Sequence, residues 1–81
     1  MTVENFEKVL RALLQRRPFK PFTIEMHTGE RIEIDYPEAT VLRQGVAVFM
    51  ALGPVPVYFD HLSVNKFIDS PAHSLPPTNL E

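Results

Sequence analysis

Three histidines, a few carboxylates and one cluster of bases hold whatever chemistry this 81-residue chain can perform. His27, His61 and His73 lie 34 and 12 residues apart, so none has the i, i+4 partner that puts two imidazoles on one metal ion. A general-base role for His27 or His61 would need Glu25 or Asp60 beside it in a pocket. Glu25, Glu33 and Asp35 belong to one polar strand face, where a carboxylate pair does acid–base work only if burial separates the two pKa values. Pairing of Glu25 with Arg31 across strands is the simpler account. Ser63, Ser70 and Ser74 are the candidate nucleophiles, and none stands in a Gly-x-Ser-x-Gly setting. With three glycines there is no phosphate-cradling loop, and with no cysteine there is no thiol catalysis, thiolate metal site or disulfide. No enzyme, metal or cofactor is expected.

The remaining group with a ligand-like pattern is Arg11, Arg16, Arg17 and Lys20 with Phe19 among them. The bases could contact phosphates while the ring stacks on a nucleobase, a combination that single-strand binders use. These few charges fall short of the roughly 6 to 10 phosphate contacts of strong binders. A structural role fits better: Phe19 and Phe22 plug one end of the core, and the two adjacent prolines fix the angle between two elements. Residues 1–20 carry five bases against two acids, a balance of +3, and residues 21–81 carry three against eight, a balance of −5. That polarity could draw an anionic partner or favour contact between identical subunits.

The elements that position these residues follow from two periods. Before Arg16, Val3, Phe6, Val9, Leu10, Leu13 and Leu14 recur at helical spacing behind a Thr2 cap, predicting a helix over residues 2–16 that Pro18 terminates. From Phe22 the period becomes two. Residues 22–27 and 31–36 alternate about a turn at Gly29, and Pro37 ends the second strand. Residues 40–43 and 46–52 form a hairpin across Gln44-Gly45, followed by a stiff turn at 53–56, a short strand at 57–59, a corner at 60–63 and a last strand at 64–68. These elements predict a mainly β single domain over residues 1–69, with one N-terminal helix and a small, strongly bent, five-stranded antiparallel barrel over residues 20–69. Residues 70–81, with three prolines, read as an extended or disordered tail, in which Pro76-Pro77 is a conceivable docking element. No signal peptide or membrane span is apparent, and the absence of cysteine suits a cytoplasmic protein.

The order of helix, Arg-Pro-Phe-x-Pro-Phe at 17–22, strand, Thr-Gly-Glu-Arg at 28–31 and Tyr-Pro-Glu at 36–38 resembles a family of small uncharacterised bacterial proteins over roughly residues 5–69. That resemblance implies no activity. By element order the chain is also similar to Sm-like (SH3-like) barrels, which assemble into rings and bind RNA. Sm-type RNA sites use an Asp and Asn loop after the second strand and an Arg-Gly-Asp-like turn before the last. Here those places hold Tyr36-Pro37-Glu38 and Asp60-His61-Leu62-Ser63.

The fourth strand is apolar on both faces, in a chain that can remove only about 60% of its unfolded surface from water. The expectation is therefore a non-enzymatic, self-associating interaction or accessory module, with Phe49, Val57, Tyr58 and Phe59 at the contact between copies. The alternative is an Sm-like ring that binds single-stranded RNA through Arg11, Arg16, Arg17, Phe19 and Lys20.

Overall fold

The computed structural model describes residues 1–71, so the expectations for the tail, His73, Ser74 and Pro76-Pro77 lie outside the described residues. Helix α1 spans Val3–Gln15, and Thr2 caps it by accepting a hydrogen bond from the Asn5 N–H at 3.1 Å. Its buried residues are Phe6 and Leu10, one helical turn apart. Six strands follow: β1 (Phe22–Met26), β2 (Arg31–Ile34), β3 (Thr40–Arg43), β4 (Val46–Ala51), β5 (Val55–Asp60) and β6 (Val64–Ile68).

The strands form two three-stranded antiparallel sheets, ordered β2-β1-β6 and β3-β4-β5. The expected strongly bent five-stranded barrel is thus corrected to six strands in two three-stranded sheets. Pro37 is the physical reason. Between Ile34 and Thr40 the backbone makes a 3-10 turn over Pro37–Ala39, and the chain crosses there from the first sheet to the second. A bent continuous strand would have joined the two sheets, but proline can donate no ladder hydrogen bond.

The inner faces share one core of Phe22, Ile24, Ile32, Ile34, Ala47, Phe49, Phe59 and Val64, completed by Phe6 and Leu10 of α1. Phe6 touches both sheets at once: its ring lies 6.1 Å from Phe59 of β5, edge-on, and 6.1 Å from Phe67 of β6. Burying such a ring contributes about 1.5–3 kcal/mol. Phe19 is half-buried with its edge against the fully buried Phe22, their centroids 6.2 Å apart.

Three tight connections use positive φ, the third at Gly53 (φ 93°) between β4 and β5. Gln44 (φ 50°) and Gly45 (φ 83°) form the two-residue hairpin turn between β3 and β4, the twist that best matches the strands. Gly29 (φ 92°) serves between β1 and β2. Strand β5 begins at Val55, two residues earlier than the sequence pattern indicates, and runs through Pro56. Its pairing tolerates the proline because β5 is an outer strand and position 56 turns its backbone nitrogen away from β4, as the hydrogen-bond alternation below shows.

Candidate functional site

The two sheets present opposite kinds of outer face. On β2-β1-β6, alternation turns Glu25, Arg31, Glu33 and Lys66 outward, while Thr23 on the same face is buried and donates its hydroxyl to the Ser70 carbonyl at 2.7 Å; Glu25 gathers its neighbours. Its carboxylate accepts from the Asn65 amide at 3.0 Å, pairs with Arg31 at 3.3 Å and lies 3.8 Å from the Lys66 ammonium. The Asn65 hydrogen bond is the largest influence on this carboxyl; desolvation opposes it, and the Arg31 hydrogen bonds with the charges of Lys66 and Arg31 leave the pKa below its ordinary value. Such a group stays ionised and paired. It is poorly placed to carry protons near neutral pH.

On β3-β4-β5 the outward positions are Val41 and Arg43, then Val46, Val48 and Met50, then Pro56, Tyr58 and Asp60. Val41 is 69% exposed and Tyr58 70% exposed, and Val46 and Met50 are each about half exposed. The register places Val41, Val48 and Tyr58 side by side in one row, and Arg43, Val46 and Asp60 in the next. A shallow depression of about 230 Å³ lies on this face, lined by Val46, Tyr58, Phe59, Asp60 and Ser63. Large apolar side chains clustered on an outer sheet face mark contact surfaces.

The free edge of β5 is blunted. The His61 N–H donates to the Gly45 carbonyl at 2.9 Å, so by antiparallel alternation the backbone groups of Phe59 and Val57 face β4, and those of Asp60, Tyr58 and Pro56 face outward. Pro56 has no N–H. The Asp60 N–H donates to Ser63 Oγ at 3.2 Å, and the Asp60 carbonyl accepts from the Ser63 hydroxyl at 3.1 Å and the Ser63 N–H at 3.2 Å. Only Tyr58 retains both a donor and an acceptor for another strand. The β5 edge is therefore a poor site for strand addition, whereas the face beside it is open.

Of the expected contact residues, Tyr58 is exposed on this face, Val57 is half-buried toward the core, and Phe49 and Phe59 are each 3% exposed inside it. The aromatic count of the fourth and fifth strands does not distinguish inward from outward positions. Parity does: once Ala47 and Phe49 turn inward, Val46, Val48 and Met50 must turn outward.

The bases of the first twenty residues divide. Arg16 is committed to structure, with Nη1 2.7 Å from the Asp69 carboxylate beyond β6 and Nη2 donating to the Lys20 carbonyl at 2.8 Å. Arg11 lies 3.5 Å from Glu7 one turn earlier, and the Arg17 guanidinium donates to the Arg16 carbonyl at 3.0 Å. Arg11 and Arg17 line a cleft of about 290 Å³ with Leu14, Gln15, Pro37, Glu38, Thr40 and Leu42. Glu38 sets an acid opposite the arginines there. The basic cluster is thereby split between a structural tie and a cleft of mixed charge, with Phe19 packed on Phe22.

His61 is a structural corner: its Nδ1 lies 2.9 Å from the Met1 carbonyl, and its own carbonyl accepts from the Met1 amine at 2.9 Å. Beside it the Gly45 N–H donates to the Glu7 carboxylate at 2.6 Å, tying α1 to the β3–β4 turn. Asp60 lies below its ordinary pKa because of hydrogen bonds from Ser63, with the His61 charge adding to the effect. His27 is exposed beside the β1–β2 turn. Among the described residues no group of three or more His, Asp or Glu side chains could hold a metal ion, and no helix is long and apolar enough to cross a membrane. Comparison with family models, curated proteins and solved structures finds no match to this chain. Function must be argued from the surfaces themselves.

Proposed function

We propose that this chain is a non-enzymatic interaction module that associates with itself through the outer face of β3-β4-β5. The apolar row of Val41, Val48 and Tyr58, with Val46 and Met50 beside it, carries this reading. The other sheet turns an internally paired, charged face to water, so of the two sheet faces this is the apolar one. A cytoplasmic location suits a chain without cysteine.

The test is light scattering coupled to size-exclusion chromatography at loading concentrations from about 10 µM to 1 mM, a range suited to a small interface. The weight-average mass should climb above one chain with concentration, and Tyr58→Lys should abolish the climb. A mass fixed at one chain throughout would overturn the proposal.

The rival reading, an RNA-binding ring, draws on Arg11 and Arg17 sharing one cleft. The pairing of Arg16 with Asp69 and the acid at Glu38 weigh against it.

A further inference from the structure

We propose that the copy covering this face is related by a two-fold axis running parallel to β4, so that Arg43 of each subunit meets Asp60 of the partner subunit. The inference rests on the self-association proposed above and adds its geometry.

The row of Arg43, Val46 and Asp60 carries a cation on the β3 border, an apolar centre and an anion on the β5 border. Strands lie about 4.8 Å apart, so the two charges flank β4 at equal distances. A two-fold contact brings the same patch together twice, and two axes lying in this face bring the charged row onto itself. An axis across the strands through this row would set Arg43 on Arg43 and Asp60 on Asp60. An axis along β4 lays β3 of one copy over β5 of the other, which sets Arg43 on Asp60 twice and Val41 on Tyr58 twice. Val46, Val48 and Met50 then face their counterparts near the axis. Sheets stacked face to face keep their strands nearly aligned, as this arrangement requires.

The charges are available for it. The Arg43 side chain is exposed and makes no hydrogen bond or ion pair among the described residues. Asp60 is held on the border by the Ser63 N–H, which donates to Oδ1 at 2.9 Å, and it has no cationic side chain paired to it among the described residues. The blunted edge of β5 disfavours strand addition there, and the exposed apolar side chains stand on the face beside it. From strand spacing and rise the face measures about 15 by 20 Å. That is well below the roughly 800 Å² per partner of a standard interface, so the dimer is weak.

Sedimentation equilibrium on the full chain tests the geometry with Arg43→Asp, Asp60→Arg and their equimolar mixture, each first checked for folding by circular dichroism. Each single variant replaces two attractive contacts by two repulsive ones and should dimerise about tenfold more weakly than the wild type. The mixture should recover wild-type affinity as a heterodimer, because one chain then supplies two acids and the other two bases. Asp60→Arg removes the Ser63 acceptor, so Asp60→Asn, which keeps an Oδ1, is measured beside it and should weaken the dimer by about threefold. If the wild type dimerises and Arg43→Asp and Asp60→Asn dimerise equally well, this geometry is overturned while self-association stands. A folded mixture that fails to recover affinity overturns it too. A wild type that stays monomeric removes both.

Discussion

Replacing Gly45 by alanine should destabilise the fold by clearly more than replacing Gly29, although both glycines need nearly the same backbone. Their φ angles are +83° and +92°, a region that costs an L residue about 1–2 kcal/mol. That cost is common to both variants. The surroundings are not: a Cβ at Gly29 would meet nothing within 4 Å, whereas one at Gly45 would lie 2.9 Å from His61 Cδ2 and 3.0 Å from a Val3 methyl. Neither neighbour can retreat freely. His61 is held by its Nδ1 contact with the Met1 carbonyl and by its N–H to the Gly45 carbonyl, and Val3 is the first residue of α1. Overpacking of this kind costs about 1–3 kcal/mol more, and displacing the Glu7 carboxylate from the Gly45 N–H would add to it. The expected totals are about 1–2 kcal/mol for Gly29→Ala and about 2–5 kcal/mol for Gly45→Ala, out of roughly 4–12 kcal/mol for a domain of this size. Urea unfolding followed by far-ultraviolet circular dichroism measures both. His61→Ala in the Gly45→Ala background should restore part of the loss, a coupling of about 0.5–2 kcal/mol. Equal losses for the two alanine variants, or strict additivity of the His61 and Gly45 changes, would refute the packing argument.

Phe6→Ala should cost about 3–5 kcal/mol, because the ring spans both sheets, and the thermal transition should broaden or vanish. Glu25 and Asp60 both have lowered pKa values when folded, so their stabilisation is complete above the ordinary carboxylate values near 4 and disappears as pH falls through the folded ones. Denaturant midpoints should therefore drop on acidification below about pH 5, and Glu25→Gln should flatten that dependence while lowering the midpoint at pH 7. A pool of single-stranded RNA titrated at low ionic strength should show no binding that salt removes, and a steep salt dependence would revive the ring reading.

Periodicity made the elements legible because each was bounded by a residue with a physical effect of its own. The helix expected over residues 2–16 is observed at Val3–Gln15, bounded by the Thr2 cap and the approach to Pro18, and Gln44-Gly45 announces its turn. Layer assignment was less legible. Pro37 was read as the end of a strand, but a one-dimensional pattern does not say whether the chain beyond it continues the same sheet or founds another. The proposed contact surface was half visible: the surplus of apolar residues on β4 was apparent, but not which parity faced inward. That choice depends on Phe6 and Leu10 of α1 lying against the core, a long-range fact. Arg43 escaped notice for the same reason, since its significance lies in sharing a row with Asp60, seventeen positions away.

The blunted margin of β5 bears on how large any assembly can become. Open-ended growth of fibrils proceeds when each added strand exposes a fresh row of donors and acceptors for the next. Here such a row is interrupted at Pro56 and closed on itself at Asp60, and the opposite sheet ends at β2, four residues long, whose outward backbone groups flank the charged Arg31 and Glu33. Crowding should therefore not promote strand addition at β5 or β2, and the outer strands β3 and β6 are the margins where a further strand would have to add.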